Sequence, residues 1–516
     1  MFALAWLIPL LPLLAATWIA GAYVLLGNRG EAGERGTARV AVGAAALSLG
    51  LAVLTGIQAL VMGPPGQVRV GSWLVSGDLR VDIAFTLDAL GLALLLLVAF
   101  VALITLRFSV NYLHREAGFP RFFLLLSLFM GAMELIVMAG NAVLVFIGWE
   151  LAGVASYLLI AYNFERPVAV TNAHRAFIAN RIGDAGFLLG ISFAYLWMGS
   201  SDWPLRPDQT LDPIKGDLIA LAFLLPALAK SAQLPFAPWV ARALEGPTPS
   251  SAIFYGALMV HAGVYLLIRL EPLLETAPAI SSLVALLGAL TALYGWLVGL
   301  ARTDVKSSLM FSTTAQVGLM FLWIGLGWYS LAAWHLALHA IWRAYQFLHA
   351  PALMQRVSRP ARPVPAWLAR RRGLQEAALQ GFWLDALADA FLARPAQAMA
   401  RDVMDLDGKV VSRIVGLPGQ ALELSSLGIA PDGEEGWLMA TADETIVRGR
   451  GLLGRTLERV ANVLYWFEQR LVLRGGGQGL LEAIRRLGDQ ANQVEDLLAR
   501  PRYLILMILA TFAVIL

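Results

Sequence analysis

Apolar runs of about 17 to 25 residues, the length a helix needs to cross the ~30 Å hydrocarbon core of a bilayer, recur along this chain. Eleven precede residue 350, at roughly 3–26, 40–62, 84–107, 121–139, 142–161, 176–197, 217–234, 247–269, 279–300, 306–325 and 328–349. Backbone polar groups find no water in lipid, so such runs must satisfy their own hydrogen bonds as helices. The expected fold class is therefore all-α, a polytopic membrane helix bundle. Composition agrees, with 15% charged residues against about 25% in soluble domains. The first run lacks a basic leader and runs into further spans, so it reads as a retained helix rather than a signal peptide.

The basic residues sort the loops. Arg29, Arg35 and Arg39, then Arg107, Arg115 and Arg121, Arg166 and Arg175, Arg302 and Lys306, and Arg356, Arg359 and Arg362 fall on one side of an eleven-span arrangement. The alternate loops, 202–217 and 271–275 among them, hold more acid. By the positive-inside rule the first set is cytoplasmic, which places the N-terminus outside a bacterial inner membrane. That topology also accounts for the net charge of +3 without invoking nucleic acid. The absence of cysteine excludes disulfides, thiolate metal sites and iron–sulfur ligation by this chain, so no cofactor is expected on it.

Four stretches follow from these patterns. Residues 1–79 hold the first helices and an external loop, 80–354 the core, 355–500 a cytoplasmic-side segment, and 501–516 a short terminal anchor. Within the third, 374–404 and 447–470 have helical periodicity, with Phe382, Leu384, Leu387, Phe391 and Leu392 set against charged positions, as interfacial helices do. Gly416 to Glu435 is rich in Gly, Pro and acid, and Gly475 to Gly479 reads as a flexible break.

Charge inside a span costs ~2.5 kcal/mol or more at the bilayer centre, so it marks ion paths more often than packing. Glu150 stands in an otherwise uncharged span, and its mundane alternative is a structural carboxyl paired to a neighbouring helix. Lys230, one of only four lysines, meets small polar residues where Pro235 and Pro238 interrupt the helix. Such breaks survive only when buried in protein or lining a cavity, where freed carbonyls can solvate an ammonium. Glu245 precedes Pro247 and Pro249, and His261 follows in the next span, where a lone histidine is as readily a packing residue as a relay. His335 and His339 share a helix face, with Arg343 one turn on. Two imidazoles without a third ligand are weak grounds for a metal and better suited to passing protons. Arg181 and Asp184 are spaced for a local ion pair, mainly structural, that could tune Glu150.

Together these residues resemble the proton-conducting antiporter-like family that includes subunit L of bacterial respiratory complex I, the Mrp antiporter A subunit and DabB. The likeness covers roughly 80–350 and rests on several motifs. They are Gly148-Trp149-Glu150, Ala176 to Asp184, Lys230-Ser231-Ala232-Gln233-Leu234-Pro235, Glu245 to Pro249, Thr303-Asp304-Val305-Lys306, Phe311-Ser312-Thr313 and His335 to His339. The resemblance implies an inverted-repeat core with discontinuous helices near 230 and 330. It makes Glu150 and Lys230 the charge pair of an entry half-channel, and Lys306 with His335 and His339 the central relay. It also implies a place among other integral membrane subunits.

Three positions depart from that pattern. Tyr255 stands where many relatives carry histidine, and His261 is the expected substitute. Arg343 replaces a common lysine, and a guanidinium stays protonated, so it can act only as a fixed charge. Residues 355–500 contain no spanning run, so the exit half-channel is expected to be truncated or supplied by another chain. The tail around Gly381 to Asp385 looks like the lateral-helix ending of subunit L, whereas His339 to Leu348 is closer to DabB-type relatives, whose partner is a DabA-type zinc protein. The expected function is proton translocation coupled to a partner's chemistry. An inorganic-carbon pump subunit, a cation/proton antiporter and a non-conducting scaffold are the alternatives.

Overall fold

The structure, a computed structural model, describes residues 2–406 apart from 26–29, 78, 209–210, 258 and 351–363. The candidate helix at 447–470, the Gly-rich stretches and the terminal anchor lie outside the described residues. Contacts divide the chain into two compact units, Met1–Arg394 and Pro395–Leu516, and the first holds the whole of the site.

All eleven apolar runs become helical. Helices α1 (Leu7–Leu25) and α2 (Gly30–Met62) come first, and a β-hairpin of β1 (Gly66–Ser76) and β2 (Leu79–Leu87) leads into α3 (Ala89–Tyr112). Then follow α4 (Phe119–Met138), α5 (Ala142–Ile160), α6 (Pro167–Met198) and α7 (Pro213–Lys230). After α8 (Pro238–Arg242), the eighth run is divided into α9 (Thr248–Ser251), a π-helical turn at Ala252–Ala257 and α10 (Ala262–Arg269). After α11 (Glu271–Glu275) come α12 (Pro278–Ala301), α13 (Val305–Gly325) and α14 (Tyr329–His349). The hairpin was not anticipated. Its strands occupy the loop before α3 and displace that helix's start from 84 to Ala89.

Local chemistry sets the helix ends. Asp88, Asn141, Asp212 and Asp304 cap α3, α5, α7 and α13 by accepting from the amides of Gly91, Leu144, Ile214 and Ser307 at 2.7–2.9 Å. Proline opens α6, α7 and α12, where its missing N–H costs nothing. Among the described residues seven helices are long and apolar enough to span a membrane by hydropathy alone. Of the eleven runs, those left over, α6, α7, the divided run and α14, carry Arg181, Asp184, Lys230, His261 and His339. All of these but Arg181 are buried, while Leu60, Leu196, Leu338 and Trp334 lie on the outside. Polar groups are turned inward and large apolar ones outward, as lipid requires.

Two corrections concern the breaks. The first interruption falls where expected, after Lys230. The second is not near 330, because α14 is unbroken from Tyr329 to His349, and only the short turn after Gly325 separates it from α13. It lies instead between Ala252 and His261. Pro247 and Pro249 do not break a helix either; they flank the start of α9.

Beyond 363, α15 (Ala366–Ala369), α16 (Arg372–Leu379), α17 (Leu384–Ala388), a π-helical turn and α18 (Arg394–Leu406) follow in short pieces. Trp367 stacks on Trp296 of α12 at 5.6 Å. Arg242 reaches Asp385 at 3.1 Å and Arg175 reaches Asp389 at 2.7 Å, so two ion pairs tie α17 and the π-helical turn after it over the break that follows α7.

Candidate functional site

The break after Lys230 is held closed by protein. Ala232 adopts a left-handed backbone (φ 50°), a conformation a non-glycine residue keeps only where its surroundings enforce it. The Trp239 indole donates to the Ala229 carbonyl at 2.8 Å, the Gln233 amide group to the Ser231 carbonyl at 2.9 Å, and the Leu234 N–H to Thr291 Oγ1 at 3.1 Å. The expected solvation of the lysine by freed carbonyls does not occur. Lys230, 1% exposed, donates instead to the Trp149 carbonyl on α5 at 3.2 Å, with its ammonium 5.2 Å from the centroid of that indole.

With it meet two acids and one further cation. Arg181 of α6 bonds Glu150 through one Nη, while its other Nη lies 2.7 Å from Asp184 Oδ2. Asp184, 4% exposed, is the acid that acts electrostatically on Lys230. The expected Glu150–Lys230 pair is thus replaced by a chain, Glu150 to Arg181 to Asp184 to Lys230. Gly153 makes the room: a Cβ there would sit 2.9 Å from Arg181 Nη2 and 3.3 Å from Lys230 Nζ. Gly183, beside Asp184, packs on Ala229 and brings α6 against α7. The 181/184 spacing and a link to Glu150 were visible in the sequence, but the pairing of Asp184 with Lys230 on the next helix, α7, was not.

The second cluster is built on the π-helical turn. It delivers His261 to the position preceding α10, where Nε2 lies 3.0 Å from His339 Nδ1. Arg343 Nε faces His339 Nε2 at 3.4 Å and Arg343 Nη2 donates to Ser312 Oγ at 2.9 Å. For neutral rings the donors fix the tautomers. Arginine can only donate, so His339 carries its proton on Nδ1 and gives that hydrogen bond to His261, whose own proton then sits on Nδ1. His335 lies edge-on to His339 with ring centroids 6.1 Å apart, and is held by the Trp323 indole at Nδ1 (3.3 Å) and by Gln316 Oε1 at Nε2 (2.9 Å). Among the described residues no group of three or more His, Cys, Asp or Glu could hold a metal ion.

The two clusters approach through Ser231, whose Oγ packs against Gly263, two residues beyond His261. Ser231 Oγ, Glu150 Oε1, Gln233 Oε1 and His261 Nδ1 are buried atoms without a protein hydrogen-bond partner. Such atoms are ordinarily satisfied by ordered water.

The remaining candidates lie elsewhere. Lys306 stands at the start of α13 and donates to Thr248 Oγ1 at 2.6 Å, with Tyr112 OH 2.9 Å beyond, rather than joining the imidazoles. Glu245 bonds Arg166 at 3.3 Å and Asn172 at 3.5 Å, tying α6 to the stretch between α8 and α9. Tyr255 is fully buried, donates to the Val240 carbonyl at 2.7 Å, and packs on Phe347. On the hairpin side, Arg269 bonds Asp88 through both Nη atoms and donates from Nε to Tyr265 OH at 2.7 Å. Burial opposes the charge on Asp88, but Arg269 and the Gly91 amide outweigh it and hold the carboxyl below its usual 3.8.

Comparison with known proteins bears on the same residues. Residues 139–362 match the family described as NADH:quinone oxidoreductase/Mrp antiporter, TM, and 73–123 match NADH-Ubiquinone oxidoreductase (complex I), chain 5 N-terminus. Subunit L of the NADH-quinone oxidoreductase of Mycobacterium tuberculosis is 37% identical over 358 residues, 66% of this chain and 55% of that one. The chloroplast NAD(P)H-quinone oxidoreductase subunit 5 of Zygnema circumcarinatum is 36% identical over 351 residues, 66% of this chain and 50% of that one. The chain thus spans about half the length of these relatives. A chain of the Mrp complex from Dietzia shares the fold at a TM-score of 0.58 and 22% identity, over 98% of this chain and 62% of that one. A chain of the archaeal membrane-bound sulfane sulfur reductase does so at 0.60 and 19% identity, over 76% and 83%.

Proposed function

Because the chain belongs to the family of membrane subunits shared by NADH:quinone oxidoreductases and Mrp antiporters, we propose that it is a subunit-L-type proton-translocating member of a multi-subunit membrane complex. It would couple proton movement across a bacterial inner membrane to the chemistry of a partner such as a quinone oxidoreductase. The observation that carries this reading is the pair of buried polar clusters that approach at Ser231, with His261 and His339 3.0 Å apart inside an apolar bundle. The relatives reported above point to the quinone-oxidoreductase side of the family, and a zinc-protein partner is not carried into the proposal.

Coupling runs through the charge chain. Protonating Glu150 releases Arg181, which turns to Asp184 and weakens that acid's hold on Lys230. A lysine that loses its counter-ion holds its proton less tightly and passes it by way of Ser231 and bridging water toward His261 and His339. A unit-charge pair 4 Å apart is worth about 4 kcal/mol at an effective dielectric of 20, enough to switch occupancy.

Two substitutions test this in proteoliposomes carrying the chain with its co-purifying subunits. Glu150→Gln and Lys230→Ala should each abolish coupled proton movement while the complex still assembles. Wild-type pumping in both variants would overturn the mechanism.

A further inference from the structure

We infer that the histidine cluster opens toward the hairpin side of the membrane through a branch within this chain, from His261 by way of one water and the Tyr265 hydroxyl to Asp88. The inference rests on the proposed proton translocation and adds the route by which the second cluster reaches solvent.

Three observations converge on it. His261 is 2% exposed, and its Nδ1, the atom that carries the ring proton when His339 donates to Nε2, has no protein partner. A cavity of about 20 Å³ adjoins it, lined by Leu97, Val98, Met133, Ile136, His261 and Tyr265 among others. That volume exceeds the ~10–15 Å³ that one water molecule requires. Tyr265 stands one helical turn beyond His261 on the same face of α10, its amide bonding the His261 carbonyl at 2.9 Å. Its hydroxyl donates to the Val137 carbonyl at 2.8 Å and accepts from Arg269 Nε at 2.7 Å. Arg269 in turn grips Asp88. The Asp88 side chain is 38% exposed, at the end of β2 where α3 begins.

The remaining cavity walls are apolar, so nothing but His261 and Tyr265 would orient a water there by side-chain hydrogen bonds. Packing alone calls for neither a histidine with an unused N–H nor a hydroxyl one turn along the same face. In the transfer, an arriving proton binds His339 Nε2 as Arg343 turns toward Ser312, His339 gives its Nδ1 proton to His261 Nε2, and the His261 Nδ1–H bond breaks as an O–H bond forms on the water. That water gives a proton to the Tyr265 oxygen, and the Tyr265 hydroxyl proton, turned away from Val137, passes through the hydration shell of the partly exposed Asp88 carboxylate to solvent. Each ring is left with its proton on Nε2, and turning of the two rings returns the pair to its starting tautomers. Arg269 keeps its protons throughout and holds the tyrosine and the carboxylate in line.

The test measures proton flux in proteoliposomes of the whole complex, with assembly followed by co-purification. Tyr265→Phe keeps the ring and removes the hydroxyl; Val98→Phe keeps the hydroxyl and fills the cavity. Each should cut flux at least tenfold with assembly intact. Wild-type flux in either variant, in a preparation where His339→Ala is inactive, would overturn the branch and leave the proposed function standing. An assembled wild-type complex that carries no protons would overturn both.

Discussion

At the scale of the residue, what matters is which group holds which. Glu150 and Lys230 each announce themselves in the sequence because an ionisable group in an apolar span is costly. Their pairing did not follow, because Arg181 stands between them. Tyr255, set by the family resemblance where a histidine was expected, spends its phenol on the Val240 carbonyl, and it is His261 that meets His339. Tyr255→Phe should therefore lower stability by about 1 kcal/mol, the net value of one buried hydrogen bond, and leave proton flux unchanged. Thermal unfolding of the purified complex and proteoliposome flux check the two halves separately. A loss of flux without a loss of stability would overturn this reading and put Tyr255 in the proton route.

At the scale of the element, two kinds of helix share the bundle. The seven that satisfy hydropathy alone form much of its frame. The polar clusters are carried largely by the runs that do not, because the charges that spoil their hydropathy are the ones they bring inward. Close helix approach fixes the frame at α12 and α13, where Gly318 and Gly288 face each other across the contact. A Cβ at Gly318 would lie 2.6 Å from the Ala292 nitrogen, and one at Gly288 2.5 Å from the Leu322 nitrogen. On α2, by contrast, a Cβ at Gly43 meets nothing within 4 Å. Gly318→Ala should thus lower the melting temperature of the complex, whereas Gly43→Ala should hold or raise it, since alanine gains up to about 1 kcal/mol over glycine in a helix. Equal melting temperatures for the two variants would remove close approach as the determinant.

At the scale of the whole molecule, orientation and attachment are decided together. The loop arginines and the positive-inside rule predict the hairpin outside and the 113–118 loop inside. The chain has no cysteine, so single introduced thiols report on sidedness without background. Ser76→Cys, at the end of β1, should react with a membrane-impermeant maleimide added to intact cells stripped of their outer layer, and Glu116→Cys should react only after lysis. The reverse pattern would invert the topology. On the arginine-rich side, the Arg242–Asp385 and Arg175–Asp389 pairs hold residues 384–389 against the core, whereas amphipathic patterning pointed to the membrane interface.

The sequence alone determined the helices and the chemical inventory. Spanning length is a local sum over some twenty residues, and a charge in such a run stands out wherever its partner lies. The tertiary structure decided the wiring. Glu150 and Arg181 are 31 residues apart, His261 and His339 78, and Lys230 and Trp149 81. Each residue advances a helix by about 100°, so the π-helical turn before His261 sets which face its imidazole presents, and no local pattern encodes the rotation that two packed helices adopt.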